Sequence, residues 1–149
     1  MSALPASALP DASDPLMAGF WEASRRHVLV IQRCKHCGEV RFPPLPICSN
    51  CWSEDQSWVE TEPTGTVYSY VVYHRALAAA FADEVPYAIG RVKVTAGPIF
   101  TVRLDVPLDE ITVDMPVTAS FRDASDEISL LQFTKVECQP PRSSGGSEA

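Results

Sequence analysis

The sequence predicts a mainly β protein that consists of an N-terminal helix, a small cysteine-rich ribbon and a five-stranded barrel. Three observations lead to this prediction: helix-start signals near residue 14, two C-x-x-C pairs in the first third, and five strand-like segments after Gly65. The 149 residues suffice for one domain joined to a smaller module. Hydrophobic residues make up 46% and charged residues 21%, so the core can be ordinary in size and needs no disulfide staples.

The predicted helix covers residues 15–26. Asp14 is a favourable N-cap residue, and Pro15 suits the first helical position. Leu16 and Phe20 follow at a spacing that places them on one face of a helix. The segment ends with two arginines, which suits the negative end of the helix dipole.

The strand predictions rest on segments rich in β-branched and aromatic residues, which Pro-, Gly- and Asp-containing turns separate. Five strands within about 70 residues is the size of a small Greek-key barrel such as the OB-fold. An Ala-rich segment at 76–83 is interpreted as a short helix or a lid loop. The predicted barrel strands are 66–75, 86–94, 99–104, 117–122 and 128–136, and shorter strands at 28–32 and 58–60 flank the ribbon.

Four of the five cysteines form two C-x-x-C pairs with ten residues between them. In a C-x-x-C turn two sulfur atoms point at one metal ion, and two such turns complete the thiolate tetrahedron that zinc prefers. Four thiolates fill the coordination shell and leave no position for a substrate water. The sequence therefore predicts a structural, non-catalytic zinc site whose ligands are Cys34, Cys37, Cys48 and Cys51.

Other interpretations of the cysteines were weighed against this one. Iron in a rubredoxin-like site uses the same geometry, so the choice between zinc and iron stays open. A thioredoxin-like redox pair is disfavoured because it needs one C-x-x-C in a βαβ setting. His36, inside the first pair, is interpreted as an exposed residue of the turn. We expect Arg33, Lys35 and Arg41 to offset part of the formal negative charge of zinc with four thiolates.

The expected domain organisation is a flexible tail at 1–13, helix and ribbon at 14–62, an OB-fold at 63–137 and a second flexible tail at 138–149. Cys138 lies at the edge of the second tail and is interpreted as a bystander thiol. The sequence contains no apolar run of the ~20 residues that a membrane span needs. The N-terminus lacks the basic start and apolar run of a secretory signal. We therefore expect a cytoplasmic protein without membrane contact.

Two segments are candidate contact surfaces. His74 and Arg75 end a strand just before the apolar loop to Phe81, and their side chains suit a phosphate or carboxylate. The alternative is a strand end whose polar side chains reach water. Phe42 and Pro43 belong to a rigid apolar loop of the ribbon, which either packs within the ribbon or forms an exposed contact surface. We favour the contact surface because a small ribbon has little core of its own.

The order of these motifs resembles one known family. The segment PLMAGFWEASRRH is followed by QRCKHCGEVRFPPLPICSNC, and then by WVE, GTVYSYVVYHR, EVPYAIGRV and DMPVTASFRD. This order is similar to that of the bacterial and archaeal zinc-ribbon/OB-fold proteins associated with acyl-CoA metabolism, long catalogued as a domain of unknown function. The resemblance extends from about residue 14 to residue 136 and includes all four cysteines.

The resemblance implies a fold of N-terminal helices, a rubredoxin-like zinc ribbon and an OB-fold. It also implies a role, because members of the family are usually small non-catalytic subunits beside thiolase-like enzymes, including thiolases, steroid side-chain aldolases and acyltransferases. We therefore expect structural Zn²⁺, a thiolase-like partner in a hetero-oligomer, and a CoA thioester bound in the complex. The residues expected to face the CoA or the partner are Phe42, Pro43, His74, Arg75 and Phe81.

Two other classes of function were considered. Zinc ribbons and OB-folds both occur in nucleic-acid-binding proteins, and Tyr68, Tyr70 and Tyr73 are expected to share one strand face. That face is either a platform for stacking bases or part of the core. A net charge of −7 argues against this alternative, because nucleic-acid binders usually carry a basic face. A stand-alone enzyme is disfavoured because the sequence shows no nucleophile–base motif, phosphate loop or paired-carboxylate motif.

Overall fold

The computed structural model of the chain describes residues 4–137 and confirms a mainly β fold. One helix, α1 (Ala18–Arg25), is followed by the ribbon strands β1 (Val30–Cys34), β2 (Val40–Arg41) and β3 (Gln56–Glu60). The five barrel strands are β4 (Thr64–Tyr73), β5 (Tyr87–Val94), β6 (Ile99–Asp105), β7 (Pro116–Asp123) and β8 (Ser129–Lys135). Single 3₁₀ turns lie at Ala6–Ala8, Ala79–Phe81 and Leu108–Glu110.

The ribbon is a three-stranded antiparallel sheet in the order β2–β1–β3. β1 pairs with β3 along its whole length, from Val30 opposite Glu60 to Cys34 opposite Gln56. Its other edge pairs with β2 over two residues. β1 is therefore the central strand, and it delivers Cys34 to the end of the sheet where the first cysteine turn begins.

The barrel closes in the order β4–β5–β6–β8–β7, and the predicted five-stranded OB topology is confirmed. Its strand pairs are antiparallel except for the parallel pair β6–β8, in which Leu104 lies opposite Phe133. β4 pairs with β5 over its length and with β7 at its start. A β-bulge between Val67 and Ser69 adds the local twist that lets one strand serve both neighbours.

One continuous core joins helix, ribbon and barrel. Phe100 and Phe133 fill the barrel interior and are fully buried. Phe42, from the ribbon loop, stacks on Phe100 with ring centroids 4.2 Å apart, and its centroid lies 5.0 Å from that of Phe20 in α1. Burying a side chain of this size stabilises the fold by about 1.5–3 kcal/mol. This aromatic contact fixes how the ribbon sits on the barrel.

Helix α1 also packs closely on the ribbon, at Gly19. A Cβ atom at this position would lie 2.2 Å from Cδ1 of Trp58 in β3, a separation that two carbon atoms cannot adopt. The missing side chain therefore lets the helix backbone approach the indole ring directly.

The helix begins three residues later than predicted. The Asp14 carboxylate accepts a hydrogen bond from the Leu16 N–H at 2.9 Å, and the Asp14 carbonyl accepts one from the Met17 N–H at 3.1 Å. Asp14 is thus engaged in a local Asx-type turn, which competes with helix capping. The helix starts at Ala18 without a side-chain cap.

The five barrel strands were predicted correctly in number and order, with small shifts at their ends. β1 starts two residues later than predicted, and β3 starts two residues earlier. β2 was missed because two residues give no periodic signal. The Ala-rich segment contains one 3₁₀ turn within a loop.

The expectation that three tyrosines share one face was wrong. Tyr70 and Tyr73 lie in a regular stretch of β4, opposite Gly90 and Tyr87, so an odd separation places them on opposite faces. The Tyr73 ring stacks on Tyr87, with centroids 5.4 Å apart, and the Tyr70 hydroxyl donates to the Ile111 carbonyl at 3.3 Å. The strand therefore lacks the predicted three-ring platform for bases.

Within residues 4–137, no helix is long and apolar enough to cross a membrane. The predicted domain boundaries and the flexible N-terminal tail stay predictions. In that N-terminal segment, the Leu4 side chain is 8% exposed and lines a cavity on the outer wall of the barrel. The second predicted tail, with Cys138, lies outside the described residues.

Glu84 fastens the loop between β4 and β5 to the barrel wall. Its carboxylate accepts hydrogen bonds from Nη1 of Arg103 at 2.7 Å and from Nη1 of Arg122 at 2.8 Å. The three side chains are 16–26% exposed. Burial raises the pKa of Glu84, but the two guanidinium groups outweigh it, so the pKa lies below its ordinary value.

We predict that Glu84→Gln lowers the free energy of unfolding by about 1–3 kcal/mol at pH 7, because it weakens two charge-assisted hydrogen bonds in a partly buried site. The native pKa lies below the ordinary value of 4.5. The ionised carboxylate therefore stabilises the folded state above pH 4.5, and this contribution is lost as the pH falls through the native pKa. Urea denaturation should show a wild-type–variant difference at pH 7 that shrinks as the pH falls below 4.5.

The matched control is Glu60→Gln. The Glu60 carboxylate is 70% exposed, 4.0 Å from Arg26, and should contribute less than about 1 kcal/mol. A Glu84→Gln protein as stable as the wild type at pH 7 would contradict the assignment of Glu84 as a clamp.

Candidate metal centre

Two matching backbone turns present the four cysteines. In the first turn the Gly38 N–H donates to the Cys34 carbonyl at 2.9 Å, and in the second the Trp52 N–H donates to the Cys48 carbonyl at 2.9 Å. Gly38 has a φ of 79° and Trp52 a φ of 64°, so both turns end in the left-handed region. Glycine adopts this conformation at position 38 without steric strain. His36, as predicted, is exposed at the surface of the first turn.

The four sulfur atoms converge on one point. All lie within 4.8 Å of one another, and the contacts across the two turns are 3.5 Å between Cys34 and Cys51 and 3.6 Å between Cys37 and Cys48. A zinc ion with four Zn–S bonds of about 2.3 Å would space the sulfur atoms about 3.8 Å apart. None of these four cysteines forms a disulfide bond. This arrangement fits a tetrahedral four-thiolate site.

The proton affinities of these sulfur atoms show why a cation is needed. The backbone amide of Cys37 lowers the pKa of the Cys34 thiol to about 6. The Ser53 amide lowers the pKa of Cys51, but burial and the three neighbouring sulfur atoms outweigh it and raise that pKa to about 12. The last proton is retained because four crowded thiolates repel one another. A bound dication would replace that proton and compensate the charge.

Arg41 places a positive charge in direct contact with the cysteine cluster. Its Nη2 donates to the Cys48 sulfur atom at 2.8 Å, and its Nη1 donates to the side-chain carbonyls of Gln32 and Gln56, each at 2.9 Å. The Arg41 side chain is 10% exposed, and its nearest carboxylate, on Glu39, is 3.9 Å away. A guanidinium so far buried needs a nearby anion. A thiolate in a zinc site supplies it.

The other two predicted basic residues play smaller parts. Lys35 pairs with Asp55 at 3.4 Å, and both side chains are more than half exposed. Arg33 is also exposed. Sequence reasoning missed Gln32, because a lone glutamine in a strand carries no motif. Its amide accepts from the Leu45 N–H at 2.9 Å and donates to the Leu45 carbonyl at 3.0 Å, so it holds the loop between the cysteine pairs.

The predicted contact residues differ in their exposure to solvent. His74, Arg75 and Pro43 are exposed, as a contact surface requires. Phe42 is half-buried and its ring points at the core, so the outer surface of the ribbon loop is formed by its neighbours. Phe81 is half-buried at the mouth of the cavity that Leu4 lines.

That cavity was not predicted. It has a volume of about 320 Å³ and mostly apolar walls. Arg103 and Arg122, which hold Glu84, lie at its polar side. No local motif could have revealed it, because Leu4, Phe81, Leu131 and the two arginines are far apart in the chain and meet only when the barrel closes.

Two family models match the chain, one over the ribbon and one over the barrel. Residues 21–55 match the model described as "ChsH2, rubredoxin-like zinc ribbon domain", and residues 58–122 match "ChsH2, C-terminal OB-fold domain". The chain belongs to the ChsH2 (DUF35) family. The ChsH2-type ribbon and OB-fold confirm the family that the motif order indicated, and the ribbon's four cysteines support structural zinc.

Three similar proteins come from different enzymes. The chain is 37% identical to a chain of the solved structure "Ltp2-ChsH2(DUF35) aldolase", with a TM-score of 0.76, and the match covers 85% of this chain and 98% of that one. It is 40% identical to "Probable enoyl-CoA hydratase alpha subunit" of Thermomonospora curvata, over 76% of this chain and 36% of that protein. It is 26% identical to "Benzoylsuccinyl-CoA thiolase subunit BbsA" of Thauera aromatica, over 68% of this chain and 70% of that protein. The chain thus spans about a third of the hydratase subunit.

We predict that Arg41→Ala weakens zinc binding by about 10- to 100-fold, because residues that contact metal ligands tune them to this extent. Competition with a chromogenic chelator at pH 7 measures the affinity. Lys35→Ala is the control, since Lys35 lies within the first cysteine turn but pairs with an exposed carboxylate. Equal zinc affinities for the two variants would contradict the role given to Arg41.

Proposed function

We propose that this chain is a non-catalytic accessory subunit of a thiolase-like enzyme acting on CoA thioesters, where it stabilises the partner and helps shape the acyl-CoA site. The observation that carries the proposal is a metal centre whose four positions are all protein thiolates. A site closed in this way binds no substrate, and its zinc stabilises the fold.

One cluster of polar side chains within residues 4–137 also argues against a catalytic activity of the chain by itself. Ser129, Asp123 and His27 form a chain, with the Ser129 hydroxyl 2.6 Å and the His27 Nε2 2.8 Å from the same Asp123 oxygen. The carboxylate is in the middle, so the histidine is not placed to take the serine proton. These two hydrogen bonds instead tie the segment after α1 to β7 and β8.

The similar proteins support an accessory role in a second way. Their names assign them to an aldolase, a hydratase and a thiolase, three reactions with different bond changes. A ribbon–OB module common to all three is better suited to a shared structural task than to any one of the reactions. We therefore propose that the catalytic groups come from a thiolase-like partner in a hetero-oligomer.

The residues that we propose to contact CoA or the partner are Pro43, His74, Arg75 and Phe81, and the Phe42 ring supports Pro43 from the core. Arg75 is exposed, and no ion pair within residues 4–137 involves it, so its guanidinium is free to bind a phosphate. We also propose a cytoplasmic location, where reducing conditions keep four thiolates available for metal.

The direct test is co-purification of the tagged full chain from its source organism, followed by mass spectrometry and a thioester-cleavage or condensation assay. We expect a stoichiometric thiolase-fold protein, activity in the complex and none in the isolated chain. A chain that is recovered without any stoichiometric partner would contradict the proposal.

We predict that Arg75→Ala weakens binding of a CoA thioester to the complex by about 10-fold, because it removes one charge-assisted contact to a phosphate. Isothermal titration of the purified complex measures the affinity. Arg25→Ala, which removes an exposed arginine from α1, is the control. Unchanged affinity in Arg75→Ala would remove Arg75 from the CoA site while leaving the accessory role intact.

A further inference from the structure

Trp52 is the most exposed large hydrophobic side chain of residues 4–137, at 80% relative exposure. The other two tryptophans, Trp21 and Trp58, are partly buried and pack against the core. Trp52 follows the last cysteine of the second turn, and no aromatic contact within the described residues involves its ring. Its indole therefore contributes little to the folded chain's own packing.

The backbone of Trp52 is also in an unfavourable conformation. Its φ of 64° lies in the left-handed region, which a residue with a large side chain rarely adopts. The first cysteine turn has the same geometry, with the same N–H to carbonyl hydrogen bond, and places Gly38 at the matching position. Glycine satisfies the metal turn without strain. The site thus has no structural need for tryptophan.

The surroundings of Trp52 have the chemistry of a binding surface. Leu45 and Ile47, in the loop between the cysteine pairs, are 40% and 41% exposed. This loop is held by Gln32, so its apolar side chains are presented from a fixed backbone. Glu54 is exposed two residues after Trp52, and no ion pair within the described chain uses it. Near Trp52 in the chain, the ribbon thus exposes apolar side chains and a negative charge without an ion-pair partner.

We propose that the second cysteine turn is a docking element, in which the Trp52 indole inserts into an apolar pocket with a basic rim on the partner enzyme subunit. This inference rests on the proposed function, because the pocket belongs to the enzyme subunit of the complex. Large aromatic anchors of this kind dominate interface energetics. Strain that is retained at an exposed position is typical of a site under functional constraint. The negative charge of Glu54 selects a basic rim on the pocket.

The test uses the zinc-loaded full chain and the enzyme subunit that co-purifies with it. Trp52→Gly removes the indole and places at position 52 the residue that the first turn uses. We expect its melting temperature to equal or exceed that of the wild type, because the left-handed strain is relieved. We expect its dissociation constant for the enzyme subunit to rise by about 30-fold or more, as for an interface anchor. Trp52→Asn, which also tolerates a positive φ, should behave in the same way.

Val113→Ala is the matched control, because Val113 is 55% exposed, lies before β7 outside the residues proposed to contact CoA or the partner, and should leave the affinity unchanged. Glu54→Gln should slow association and make it less dependent on salt. Loss of stability in both Trp52 variants would show that the indole supports the fold, and would overturn the inference.

The remaining outcomes separate this inference from the proposed function. Stable Trp52 variants that bind the enzyme subunit as tightly as the wild type would overturn the docking role but leave the accessory role standing. A wild-type chain that forms no complex at all would overturn both.

Discussion

Electrostatic compensation of four crowded sulfur atoms is the constraint on which the ribbon depends. Four sulfur atoms lie within 4.8 Å of one another, and as thiolates they repel one another unless a cation compensates their charge. A four-thiolate zinc site resolves the repulsion and leaves a net negative charge. The nearly buried guanidinium of Arg41, 2.8 Å from the Cys48 sulfur atom, partly compensates that negative charge.

The consequences of this arrangement extend to the barrel through direct contacts. Arg41 also binds Gln32, and Gln32 holds the backbone of Leu45 on both its N–H and its carbonyl. Phe42, next to Arg41 in the chain, stacks on Phe100 inside the barrel. The metal centre therefore also anchors the loop between the cysteine pairs and, through Phe42, orients the ribbon against the OB-fold.

The sequence was informative wherever a local pattern carries the structure. The cysteine spacing predicted the metal site, and alternating β-branched and aromatic residues predicted the order of the barrel strands. It failed where a local contact competed with the usual pattern, as when Asp14 formed a turn instead of capping the helix. It also could not show contacts between distant positions, such as Glu84 with Arg122, which are 38 residues apart. The direction of Phe42 depended on the same tertiary packing.

We propose that this chain acts by presenting contact surfaces from a rigid frame. The metal site, with its four thiolates, has no open coordination position. The hydrogen bonds of Ser129 and His27 to Asp123 connect parts of the fold. Two groups of exposed side chains have a specific chemistry. His74 and Arg75 are basic and follow β4, and the ribbon exposes apolar side chains, of which Trp52 is the most exposed. These surfaces suit contacts with a larger enzyme and its anionic ligand.

The most direct test of the central claim is zinc K-edge X-ray absorption on the purified full chain, together with its metal content. We expect one zinc ion per chain with four sulfur neighbours at about 2.3 Å. A nitrogen or oxygen ligand in the first shell, a site occupied by iron, or a folded chain with substantially less than one zinc would contradict it.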